Sequence, residues 1–219
     1  MRIVIAGAHG KIARHLGRML VERGDSVLGL IRNPDHAADL EADGVTPQLA
    51  DLEQLDAATL AGYLSDVDAA VFSAGAGPGS GAARKDTVDR GASVLLADAC
   101  ERAGVRRFLQ VSSMGTTKPN PPDVGEVFGA YLDAKRAAEA DLRNRDLDWT
   151  ILRPGRLTDD PPTGQVTLDA AVERGDVTRA DVAAVLLALL DEPRSKRRAL
   201  EVVNGPTPIA EAVSAAVAR

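Results

Sequence analysis

Apolar and polar positions follow two rhythms along the chain. Short runs rich in Val, Ile, Leu and Ala predict strands at residues 2–6, 26–31, 45–49, 69–73, 107–111, 149–152 and 200–203. Stretches with helical periodicity predict helices at residues 11–23, 34–42, 52–60, 83–103, 127–144, 179–190 and 209–217. The early strands are almost unbroken apolar runs, the pattern of strands covered on both faces. Strand–helix alternation of this kind predicts an α/β fold, a Rossmann-type doubly wound parallel sheet with helices on both faces. The 219 residues suffice for one sizeable core, and no linker-like composition divides them, so a single domain over 1–219 is expected. Two segments break the rhythm: "SAGAGPGSG" at 73–81 and "RPGRLTDDPPTGQVTL" at 153–168. Both follow predicted strand ends, where open α/β sheets bind ligands. The second is expected to carry a short hairpin or lid, with 153–178 forming the substrate side.

The first strand runs into "GAHGKIA" at residues 7–13. A tight strand-to-helix turn needs a residue without a Cβ clash, which Gly7 supplies. Gly10 lets the backbone approach a bound group, and Ala13 lets the first helix pack closely on the strand. Free N–H groups at the helix start then face an anion. The motif reads as a pyrophosphate cradle, spaced G-x-x-G-x-x-A rather than G-x-G-x-x-G. An ordinary strand–helix turn is the bland alternative.

A carboxylate at the end of the second strand would suit the 2′-hydroxyl of NAD. Here that strand ends in "GLIRN", and the guanidinium of Arg32 suits the 2′-phosphate of NADP. Asp35, close by, keeps NAD open as the lesser candidate. Asp51 ends the third strand and could accept from an adenine amino group with Leu52 beside the ring, or cap the next helix.

"VSSMG" places Ser112 and Ser113 at the carboxyl end of the fifth strand. In "YLDAK", Tyr131 and Lys135 are four apart and share one helix face. Tyrosine at its reference pKa of about 10 is a poor acid or base at neutral pH, and a neighbouring ammonium favours the phenolate. Such a pair could move a proton to or from a carbonyl or hydroxyl oxygen held by a serine. Lys135 could also bind the nicotinamide ribose. Packing for the tyrosine and solvation for the lysine is the alternative.

Composition narrows the functions. The net charge is -6 and only 3% of residues are aromatic, which argues against a nucleic-acid binder. The single Cys100 lies in a helical pattern and reads as packed rather than reactive. His9, His15 and His36 form no metal-ligand pattern, so no metal is expected. No apolar run approaches the roughly 20 residues of a membrane helix, and "MRIVIAG" is too short for a signal segment. A cytoplasmic setting without membrane partners is expected.

The segments "GAHGKIA", "SAGAG", "AGVRRFLQVSS", "YLDAK" and "ILRPGRLTDD", in this order, resemble the short-chain dehydrogenase/reductase superfamily. The likeness is to its small atypical branch, the NAD(P)H-binding, NmrA-like or epimerase/dehydratase-like proteins, and covers almost the whole chain. The resemblance implies a Rossmann fold with about seven parallel strands. It implies that Gly7, His9, Gly10, Lys11 and Ile12 line a pyrophosphate, Arg32 takes the adenosine phosphate, and Asp51 and Leu52 take the adenine. Ala74 and Gly75 would lie under the ribose, with Ser112 also on the cofactor side. Ser113, Tyr131 and Lys135 would be the catalytic set, Ser113 matching the superfamily's active serine. Pro154 and Gly155 would border the nicotinamide, and the "TRADVA" helix would lie beside the substrate. Two departures stand out: "FSAGAG" lacks the classical family's asparagines, and Asp89 replaces an Asn common in extended members.

About 65 residues follow Pro154, too few for the substrate domain of extended sugar epimerases. The expected function is therefore an NADP-dependent oxidoreductase acting on a small carbonyl or quinone-like compound, with Tyr131 as acid or base. An NADP(H) redox sensor without turnover, or a small epimerase or dehydratase, is the alternative. The helices at 83–103 and 127–144 could pair across a dimer, so a monomer or a homodimer is expected.

Overall fold

The computed structural model describes residues 1–77 and 79–218. Its strands are β1 (Arg2–Ala6), β2 (Ser26–Ile31), β3 (Thr46–Leu49), β4 (Ala69–Phe72), β5 (Arg107–Val111), β6 (Asp148–Pro154), β7 (Arg156–Thr158), β8 (Gln165–Asp169), β9 (Asp176–Thr178), β10 (Arg198–Asn204) and β11 (Thr207–Pro208). Nine form one sheet in the order β11-β8-β10-β6-β5-β4-β1-β2-β3. The seven strands from β10 to β3 run parallel to one another. Chain order reverses between β1 and β4, which is where a doubly wound sheet opens its ligand crevice.

The helices are α1 (Lys11–Glu22), α2 (Ala37–Ala42), α3 (Ala57–Tyr63), α4 (Ala82–Arg84), α5 (Ser93–Ala103), α6 (Glu126–Arg143), α7 (Arg179–Leu190) and α8 (Ile209–Val217). Successive residues of β1 serve opposite faces, as the pleat requires. Ile3 and Ile5 pack with Leu16 of α1, Leu186 of α7 and Val213 of α8. Val4 and Ala6 join Leu60 of α3, Leu96 of α5 and Leu142 of α6 on the other face. Phe72 and Phe108 are fully buried in this second core, each contributing about 1.5–3 kcal/mol by leaving water. Helix α7 is apolar nearly all round because it is enclosed between α1, α8 and the sheet. Thr178 caps its start by accepting from the Asp181 amide at 3.0 Å.

Three predicted elements differ. The helix expected at 52–60 starts at Ala57, because the Asp56 side chain accepts from the Thr59 amide and starts the helix there. The helix expected at 83–103 contains a π-helical stretch, Lys85–Ala92, between α4 and α5. The segment after β6 forms no hairpin. Its β7 pairs in parallel with β9, and β8 joins the large sheet antiparallel to β10.

Candidate functional site

Two cavities flank the crevice. The first, of about 540 Å³, is lined by Gly7, His9, Gly10, Arg32, Asp51, Leu52, Ala74 and Gly75, with Glu53, His36 and Arg84 among their neighbours. The second, of about 630 Å³, is lined by Ser113, Tyr131, Pro154 and Gly155, together with Met114, Phe128, Leu157 and several arginines.

Gly7 has φ +75°, a left-handed conformation, and a Cβ there would lie 2.6 Å from the Ala74 Cα. The turn closes with the Gly10 amide donating to the Gly7 carbonyl at 2.9 Å. Helix α1 begins at Lys11 with no side-chain cap and no acidic residue in its first turn. Its first N–H groups therefore remain available to an anion, and the dipole favours one. This cradle fits a dinucleotide pyrophosphate. Ile12 buries its side chain in the core, so it offers the groove only backbone. Lys11 lines neither cavity; its Nζ pairs with Asp159 at 2.5 Å, and Arg179 holds the same carboxylate at 2.7 Å. The His9 ring stacks on His36 with centroids 3.6 Å apart, and its Nε2 lies 2.7 Å from Asp39.

At the far end of the first cavity, Glu53 joins two cations. Arg32 Nη1 lies 3.1 Å from it, Arg84 Nη2 2.6 Å, and the Thr87 hydroxyl donates to it at 2.7 Å. The Arg84 hydrogen bond, followed by that of Thr87, outweighs burial and holds the Glu53 carboxyl below the usual range. Asp51 accepts from the Glu53 amide at 3.1 Å, which fixes this turn.

In the second cavity, the Tyr131 ring stacks on Phe128 with centroids 5.7 Å apart. Two ammonium groups flank the same ring, Lys85 Nζ at 5.7 Å and Lys135 Nζ at 5.9 Å from its centroid. Lys135 is buried beneath it and donates to the carbonyls of Val111 at 3.2 Å and Ala74 at 3.4 Å. Asp89 Oδ1 faces its Nζ at 3.2 Å, and Asp89 Oδ2 accepts from the Ala76 amide at 3.1 Å. The Ser113 hydroxyl donates to the Met114 carbonyl at 3.2 Å.

Ser112 lines neither cavity. It is buried and donates to Glu139 at 2.6 Å, as does Thr116 at 2.9 Å, while Arg153 pairs with the same carboxylate. Burial alone would raise the Glu139 pKa. The Arg153 and Ser112 hydrogen bonds and the Arg153 charge outweigh it and hold the group ionised, below the usual range.

The structure thus brings most of the predicted residues into two groups, and leaves Lys11, the Ile12 side chain and Ser112 outside both. Sequence reasoning missed Glu53, Arg84, Lys85 and Arg174. Lys85 and Asp89, four apart in a helical pattern, were the available signal, since such spacing puts both on one face.

A family model described as NAD(P)H-binding matches residues 7–193. The uncharacterized sugar epimerase YhfK of Bacillus subtilis is 34% identical over 214 residues, spanning 97% of this chain and 99% of its own. A Bacillus halodurans structure provisionally named an NAD-dependent epimerase/dehydratase superposes with a TM-score of 0.90 at 34% identity, covering 98% of this chain and 99% of its own. The anaerobillin reductase ChuY of Escherichia coli O157:H7 superposes with a TM-score of 0.79 at 26% identity, covering 94% of this chain and all of its own. No helix among the described residues is long and apolar enough to cross a membrane.

Proposed function

The chain belongs to the NAD(P)H-binding family, and from that premise we propose an NADP(H)-dependent oxidoreductase that interconverts a small carbonyl or quinone-like compound with its reduced form. The observation that carries this reading is Tyr131, on the wall of the second cavity with Ser113, its ring flanked by the Lys85 and Lys135 ammonium groups. When bound, the nicotinamide supplies the hydride for the carbonyl carbon or receives it from the alcohol.

The Tyr131 hydroxyl gives a proton to the carbonyl oxygen during reduction and takes it back during oxidation. Ser113 holds the same oxygen by a hydrogen bond. Lys85 and Lys135 set two positive charges beside the ring from which the proton leaves. Asp89 keeps the Lys135 ammonium in place under the ring. The uncapped start of α1 takes the pyrophosphate, and Asp51 and Leu52 border the adenine.

The preference for NADP rests on Arg32 together with Arg84. Both line the first cavity, and both already converge on one oxyanion, the Glu53 carboxylate. A 2′-phosphate presents the same two guanidinium groups with more charge and more acceptor oxygens.

Thermal unfolding with NADPH, NADP⁺, NADH and NAD⁺ tests the cofactor, because a ligand of the folded state raises the Tm by mass action. The expected result is strong shifts with the two phosphorylated forms. Turnover of aromatic aldehydes and quinones by Tyr131→Phe tests the chemistry, with an expected loss of about 10²–10⁴-fold and retained cofactor shifts. No shift with any dinucleotide, or unchanged turnover in the variant, would overturn the proposal.

A further inference from the structure

We propose that the second cavity selects carbonyl substrates that carry a carboxylate, and that Arg174 binds it. The proposal rests on the reading of that cavity as the substrate site.

Three arginines line the cavity, Arg156, Arg174 and Arg179. Two are already matched. Arg156 forms a two-pronged ion pair with Asp176, with Nε 2.7 Å from Oδ1, and Arg179 Nη1 lies 2.7 Å from Asp159. Arg174 is exposed and has no carboxylate or hydrogen-bond partner among the described residues. Arg174 is therefore the one arginine of this wall without a carboxylate partner among the described residues, which suits an anionic group. A guanidinium fork matches the two oxygens of a carboxylate.

Arg174 is also placed close to the chemistry. Its Nη2 would lie only 3.1 Å from a Cβ on Gly115, two residues beyond Ser113. The backbone next to it is held at Gly175. The Arg156 amide donates to the Gly175 carbonyl at 2.9 Å, and a Cβ on Gly155 would meet that carbonyl oxygen at 2.1 Å. This packing keeps the base of the side chain beside the serine turn. The remaining wall is apolar. Phe128 is half exposed beside Tyr131, and Met114 and Leu157 complete the surface. An amphipathic molecule fits such a wall, its apolar body on Phe128, its acid on Arg174 and its carbonyl near Tyr131 and Ser113.

The test uses the full chain with saturating NADP⁺, so that no hydride is available. Calorimetry compares 4-carboxybenzaldehyde with its methyl ester in wild type, Arg174→Ala and Arg174→Lys. Wild type should bind the acid more tightly than the ester. Arg174→Ala should lower that preference about tenfold or more, and Arg174→Lys should restore part of it. The KM ratio of the two aldehydes with NADPH should move in parallel. Equal binding of acid and ester by wild type, no binding of the acid, or an unchanged preference in Arg174→Ala would overturn the proposal. Absence of NADP(H) binding or of any aldehyde reduction would instead defeat the oxidoreductase reading, while the acid-over-ester preference would still decide the role of Arg174.

Discussion

Lys135 Nζ lies 3.2 Å from Asp89 Oδ1, and both side chains are almost wholly buried. This pair joins α6 to the π-helical stretch beneath Tyr131. Replacing Asp89 with Ala would strand a buried ammonium that keeps only two carbonyl acceptors. The expected loss of stability is about 3 kcal/mol, read by urea denaturation. Asp89→Asn keeps an oxygen for the Ala76 amide and should lose less. Equal losses would mean that the Ala76 contact contributes nothing.

Gly7→Ala should be costly for two reasons. The backbone is left-handed at φ +75°, and the new Cβ would collide with the Ala74 main chain. Together these predict a loss of about 2–4 kcal/mol. Gly24→Ala is the control, since its φ is +92° but no atom lies within 4 Å of its Cβ position. It should lose only about 1–2 kcal/mol. Similar losses at both sites would remove the case for close packing at the cradle.

Glu139 predicts an acid limb. Its folded pKa lies below the ordinary value of 4.5, so its contribution to stability is complete above that value and is lost as pH falls through the lower, folded one. Glu139→Gln should flatten the fall in Tm below about pH 4.5. At neutral pH it leaves Arg153 buried without its counter-ion, at a cost of about 3–5 kcal/mol. A variant with an unaltered acid limb would show that Glu139 does not drive it.

The Arg32–Glu53–Arg84 triad predicts two opposite changes in dinucleotide affinity. Arg32→Glu should weaken NADPH binding about tenfold or more and NADH binding far less. Glu53→Gln should strengthen NADPH binding several-fold, because both guanidinium groups lose their competing anion. Dissociation constants measured by calorimetry decide both. Equal losses for the two coenzymes in Arg32→Glu would show that Arg32 does not read the phosphate.

Much of this architecture was legible in the residues. β1, β2 and β5 match their apolar runs, and α7 and α8 match their periodic segments. Gly7 stood out because a turn this tight tolerates little else. The π-helical stretch was not legible, since an apolar period cannot separate an i+4 from an i+5 hydrogen-bond pattern over eight residues. β8 was hidden in a turn-rich segment, because its strand pairing comes from β10, far along the chain. The contacts of Glu53 with Arg84, Lys85 with Tyr131 and Arg174 with the Gly115 turn depend on how distant loops pack. Ser112 illustrates the converse: two adjacent serines look alike in sequence, yet the strand's alternation sends one to Glu139 and leaves the other at the second cavity.

The segment 82–92 places Arg84 at one cavity, Lys85 beside the Tyr131 ring and Asp89 under Lys135. On the proposed function, coenzyme choice and proton chemistry are therefore not separate modules in this molecule. If the chain takes NADP as proposed, a lineage exchanging it for NAD would pass more readily through Arg32, which stands just beyond β2 and, among the described residues, pairs with Glu53 rather than with the tyrosine cluster. Arg84 instead adjoins Lys85 on the segment that also carries Asp89, so exchange there acts next to the groups around Tyr131.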